Sequence, residues 1–148
     1  MGRSLAVGSR LMVLIALAGC ATATIATPGL AVGGAWVRAV ATTDQATAGY
    51  LTIANASTTA DALLSASSPG AATVGIHKSE MDSTGLEWMH PVDHVDVPAN
   101  GTVALEPGGY HLMIEGLTAP LRAGDRLELD LVFQRAGRIV VLADIRDG

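Results

Sequence analysis

The residues in this chain that can do chemistry are histidines and methionines, and they are crowded together. His77, His90, His94 and His111, with Met81, Met89 and Met113, all fall between positions 77 and 113 of the 148 residues. Imidazole is the commonest metal ligand among the side chains. The thioether of methionine is a soft donor, and a mixture of the two selects copper over hard ions such as calcium or magnesium. The single cysteine, Cys20, excludes an intramolecular disulfide framework and a cysteine-rich zinc or iron–sulfur site.

Donors need a scaffold, and the flanking sequence supplies strands. Short β-rich runs are broken by Gly, Pro, Asn and Asp, and neither a long helical period nor an internal repeat occurs. The expected strands are Ala35–Val40, Ala48–Asn55, Asp61–Ser67, Thr73–Glu80, Gly85–His90, His94–Val97, Thr102–Glu106, His111–Glu115, Arg126–Phe133 and Ile139–Ile145. Many short strands at this spacing predict an all-β sandwich or barrel, and the length fits one domain. Leu127, Leu129, Leu131 and Phe133 recur at every second position, the mark of a half-buried antiparallel strand.

Alternation along a strand then sorts the donors by face. Ile76 is expected in the core, which turns His77 outward. Leu86 and Trp88 share one face and are expected inward, which leaves Met89 on the other. Leu112 and Ile114 are expected inward, so His111 and Met113 point outward together. A hairpin centred on Ser83, within Met81–Gly85, would set His77 directly opposite Met89, with Cβ atoms about 4.5–5.5 Å apart. His111 and Met113 sit about 7 Å apart along one strand. If the fold brings the two pairs together, they form an N₂S₂ donor set suited to Cu(I).

These residues also carry a resemblance. His77, eleven residues, Met89, twenty-one residues, then His111-x-Met113 resembles the signature of the PCu(A)C family of extracytoplasmic copper chaperones. The context agrees: Met89-His90-Pro91-Val92, Leu105-Glu106-Pro107-Gly108-Gly109-Tyr110-His111-Leu112-Met113, and Pro120-Leu121 with Gly124-Asp125. The similarity covers about Ala35 to Ile145. It implies a cupredoxin-like Greek-key β-sandwich that binds Cu(I) through His77, Met89, His111 and Met113. It also implies a copper-recipient partner, either the Cu_A subunit of cytochrome c oxidase or another copper chaperone. This chain departs from the pattern at Lys78, where some members have Met, and at His90, where Arg is frequent. His90 is read as a partly buried or solvated residue, His94 (beside Asp93) as a solvent-facing turn residue, and Met81 as loop packing.

The N-terminus reads as an address. Arg3 and Arg10 precede the apolar run Leu11–Ala18, far short of the ~20 residues of a spanning helix. Leu17-Ala18-Gly19-Cys20 resembles a bacterial lipobox. The expected organisation is a lipoprotein signal peptide over 1–19, a lipidated Cys20, a flexible tether over 20–33 and a copper-chaperone domain over 34–148. Such a protein would be exported and anchored at the outer face of the cytoplasmic membrane or in the periplasm.

Other classes fare worse. The net charge of −5 argues against nucleic-acid binding. A blue-copper electron carrier needs a Cys thiolate, and the expected domain has none. Neither HExxH nor G-x-S-x-G occurs, so no enzyme activity is expected. Zinc at His77 and His111 would find poor ligands in the two methionines. A lipid-anchored copper storage or tolerance protein would use the same donors, and a metal-free binding sandwich remains the bland alternative.

Overall fold

The computed structural model describes residues 25–27 and 29–148, and every regular element among them is a β-strand. In chain order these are β1 (Ile25–Thr27), β2 (Leu30–Arg38), β3 (Thr47–Asn55), β4 (Asp61–Ser67), β5 (Ala71–Met81), β6 (Glu87–Pro91), β7 (Val95–Val97), β8 (Gly101–Leu105), β9 (Tyr110–Leu117), β10 (Arg126–Phe133) and β11 (Gly137–Arg146). The order across the sheet is β6-β5-β9-β3-β2-β11-β10-β4-β7, with β1 added to β2 and β8 to β3. All pairs are antiparallel except β11 with β2, which run parallel through Asp144↔Trp36, Ile145↔Val37 and Arg146↔Arg38. The sheet curls so that β4 comes against β5, and β7 against β8 and β3. One continuous ladder thereby forms the layers of a cupredoxin-like β-sandwich.

The core follows from alternation within strands. Leu127, Leu129, Leu131 and Phe133 of β10 point inward and belong to one buried cluster with Leu63 of β4, Ile114 of β9 and Ile53 of β3. Burying each such side chain stabilises the fold by about 1.5–3 kcal/mol. Asp130 lies on the opposite side of β10 and accepts a hydrogen bond from the Arg138 guanidinium, which compensates its burial.

One boundary differs from the sequence reading. The fold starts before residue 34: Ile25–Thr27 pairs with β2, and Leu30 and Val32 are buried in the core. The segment looked like a tether because its residues are small and uncharged. Yet Leu30 and Val32 alternate with Ala31 and Gly33, which is a strand pattern. The expected signal peptide over 1–19 and Cys20 lie outside the described residues.

A register shift between Gly33 and Trp36 marks a bulge in β2. No such shift interrupts the pairing of β5 with β6 or with β9. The alternation that sorts the donors by face is therefore intact on the strands that carry them.

Candidate metal centre

Three adjacent strands bring His77, Met89, His111 and Met113 to one face. β9 carries His111 and Met113, its neighbour β5 carries His77, and β6 beyond it carries Met89. His77 is directly opposite His111, with ring centroids 5.9 Å apart and planes tilted by 47°. Met113 lies between Gly75 of β5 and Ala48 of β3, two small residues that leave room around its thioether.

The expected hairpin register is off by one position in its centre. Met89 pairs with Ser79, and His77 with Pro91. The loop is Ser83-Thr84-Gly85, closed by Asp82 and Leu86, with Gly85 at φ +83°. This is a type I turn followed by a left-handed residue, a common three-residue hairpin connection that glycine favours. His77 and Met89 keep their common face but are diagonal neighbours, not opposed ones. At ~7–8 Å, diagonal neighbours remain within reach of long side chains.

Met89 spans to β9. Its Sδ lies 3.1 Å from His111 Nε2, and the β5 residue opposed to Met89, Ser79, is small. The tautomer of His111 is set by its other nitrogen. Nδ1 donates to the Gly109 carbonyl at 3.1 Å, and since a carbonyl only accepts, the proton sits on Nδ1 and Nε2 keeps its lone pair. The turn over Pro107-Gly108, with Gly108 at φ +83° and a Gly109 N–H to Glu106 carbonyl bond, aims that carbonyl. In the neutral ring an imidazole nitrogen and a thioether sulfur, each able to donate an electron pair, thus face one another.

His77 adds a third donor. Its Nδ1 is buried without a hydrogen-bond partner. Its Nε2 lies over Gly75, where an added Cβ would come within 3.1 Å. Burial holds the His77 pKa below the usual imidazole value. Positive charge on His111 and His90 pushes the same way, and the Glu115 carboxylate opposes them. The ring is therefore biased toward its neutral, metal-binding form.

Exposure grades across the site. His111 is 6% exposed, so it is covered although it lies on the non-core face, while Met89 is 48% exposed. A groove beside the pair, lined by Arg38, Tyr50, Ser79, Glu87 and Pro107, opens to solvent. Among the described residues, no group of three or more His, Cys, Asp or Glu could hold a metal.

The remaining candidates lie elsewhere. Lys78 is on the opposite face of β5, bonded to Glu80 at 2.6 Å and set over the Tyr110 ring. His90 is half-buried and stacks on Trp88 at 4.6 Å. His94 is exposed, 3.3 Å from the Asp96 carboxylate. Two expectations are corrected. Leu86 and Trp88 are not core residues but 67% and 49% exposed, because the β5–β6 hairpin extends past the sandwich. Met81 is not loop packing but the 71% exposed last residue of β5. The sequence reading missed Gly75, Ser79, Gly109 and Glu115; of these, Glu115 shares the strand parity of His111 and Met113 and was legible.

Residues 30–145 match the family described as "Putative lipoprotein LpqE-like", a family related to PCuAC domains. A putative lipoprotein of Leifsonia xyli subsp. xyli is 31% identical over 144 residues, covering 91% of this chain and 85% of that protein. Among solved structures, the apo PCuAC domain from PmoF1 superposes with a TM-score of 0.71 at 27% identity, covering 85% of this chain and all of that one. The solution structure of CuI-DR1885 from Deinococcus radiodurans superposes with a TM-score of 0.64 at 29% identity, covering 88% of this chain and 84% of that one.

Proposed function

The chain belongs to the LpqE-like lipoprotein family and is built as a PCuAC domain, and on that premise we propose that it is an extracytoplasmic Cu(I) metallochaperone. Its ligands are His77, Met89, His111 and Met113. The observation that carries this reading is the His111 Nε2–Met89 Sδ approach of 3.1 Å, with the His111 proton held on the far nitrogen by the Gly109 carbonyl. Supporting it are the partnerless His77 Nδ1 and the small residues on either side of Met113. A relative of similar fold, DR1885, has been solved in a form named for Cu(I).

The donor set suits the task. Outside the cytosol, thiols oxidise to disulfides, whereas thioethers hold Cu(I) without that liability. Thioethers carry neither charge nor proton, so protons compete with copper only at the two imidazoles. The graded exposure, from covered His111 to half-exposed Met89, lets a recipient's donors replace the protein's one at a time. The protein holds and hands over a metal ion and catalyses no bond change. Delivery to the Cu_A centre of cytochrome c oxidase is the recipient the PCu(A)C resemblance implies; storage or copper tolerance would use the same site. The lipobox-like Leu17-Ala18-Gly19-Cys20 and the lipoprotein description of the relatives support cleavage after residue 19. A lipid on Cys20 would then hold the domain at the outer face of the cytoplasmic membrane or in the periplasm.

The test uses residues 21–148, which hold every described strand and lack the competing Cys20 thiol. Cu(I) titrated against a competing chelator should bind at one equivalent, with a mixed nitrogen and sulfur shell in the copper X-ray absorption spectrum. The double variant His111→Ala/Met113→Ala should lose that binding while keeping a β-sheet circular dichroism spectrum. Unchanged binding would remove the ligand assignment.

A further inference from the structure

Met81 is a thioether left largely in solvent. It closes β5 at 71% exposure, on the strand face that carries Ser79 and His77. Its directly opposed residue is Glu87, and the next pair inward is Ser79 with Met89. Met81 and Met89 are therefore diagonal neighbours on one face. Backbone bonds join Asp82 to Leu86 and Ile76 to Val92, so the bonded pairs fall on the even positions of β5. The pairs at Met81 and Ser79 are then the non-bonded kind, in which opposed side chains stand closer.

The hairpin tip that presents Met81 is tied down. One oxygen of the Asp82 carboxylate accepts from the Thr84 N–H at 2.8 Å, the Thr84 hydroxyl at 2.6 Å and the Leu86 N–H at 3.0 Å. The donor face thus runs from covered His111 on β9 through half-exposed Met89 to Met81 at the hairpin tip.

Resting on the chaperone reading above, we propose that Met81 and Met89 form an outer two-thioether station for Cu(I). The Glu87 carboxylate alongside favours the cation, and copper pauses there on its way between a partner protein and His111. Met89 belongs to both stations, so its side chain carries the ion between them. The oxidation state does not change: one copper–donor bond forms as another breaks, and no electron or proton is transferred.

The experiment uses residues 21–148 labelled with ¹³C at the methionine methyl groups, titrated with Cu(I) without oxygen. Met81→Leu identifies the Met81 signal. At the first equivalent the Met89 and Met113 methyl signals shift, reporting the inner site. Beyond one equivalent, the Met81 signal shifts together with Met89. In stopped flow, Met81→Leu hands Cu(I) to a soluble Cu(I) chelator several-fold more slowly than the parent. A Met81 signal that stays fixed through two equivalents, or an unchanged transfer rate in Met81→Leu, overturns the outer station while leaving the inner one standing. Fixed Met89 and Met113 signals at the first equivalent overturn both.

Discussion

His111 and His77 prepare for a metal in different ways. His111 is oriented: its Nδ1–H is committed to the Gly109 carbonyl, which leaves Nε2 aimed at the Met89 sulfur. His77 is kept neutral, chiefly by burial. Its unfolded pKa is near the ordinary imidazole value of 6.5 and its folded value lies lower. As pH falls through the window between them, the unfolded ring takes a proton that the folded ring refuses, so stability falls. Below the folded value the loss levels off. A proton NMR titration of the metal-free protein should place the His77 midpoint below 6.5, and a higher midpoint would contradict burial as the leading cause. Proton competition at His77 should correspondingly set in at lower pH than for a free imidazole. Gly75 offers a second check that removes no ligand. A Cβ there meets His77 Nε2 at 3.1 Å, and the ring tip can move where backbone could not. Gly75→Ala should fold with nearly parental stability yet bind Cu(I) several-fold more weakly in chelator competition. Parental affinity would show that the ring position is not needed.

At the scale of elements, β9 divides its labour residue by residue. Leu112 is fully buried in the core between His111 and Met113, which face the other way. Leu112→Ala should lower unfolding free energy by about 2–5 kcal/mol, read from denaturant titration, with copper still bound by the molecules that remain folded. The β5–β6 hairpin shows where strand reasoning succeeds and where it stops. Alternation put His77 and Met89 on one face correctly, because a period of two is built into any extended chain. Register was missed because it depends on the loop. The Asp82 carboxylate and Gly85 close a three-residue turn around Thr84, where a turn centred on Ser83 was expected. The inward placement of Leu86 and Trp88 failed for another reason: alternation says which residues share a face, not whether anything covers that face.

At the scale of the whole molecule, chain ends and distant turns hold the layers together. β2, the first long strand, pairs with β11, the last, and Asp61 at the start of β4 reaches the β10–β11 turn. The buried Asp61 carboxylate accepts from the Arg135 N–H at 2.9 Å and the Ala136 N–H at 3.0 Å, as well as from Ala62 at 2.8 Å. Asp61→Ala leaves these donors without partners and should destabilise the fold by about 1–3 kcal/mol, measured by thermal and urea unfolding. Because that end of the molecule carries none of the four donors, Cu(I) affinity of the folded protein should stay at its parental value. The amino-acid sequence alone determined the donor types, their shared face and the all-β class, because side-chain chemistry and a two-residue period are local properties. Tertiary structure alone decided that Met89 reaches across β5 to His111, that His111 is covered, and that Met81 stands free at a hairpin tip beyond the core. Each of those depends on which distant strands become neighbours, and the pairing of β5 with β9 joins residues more than thirty positions apart.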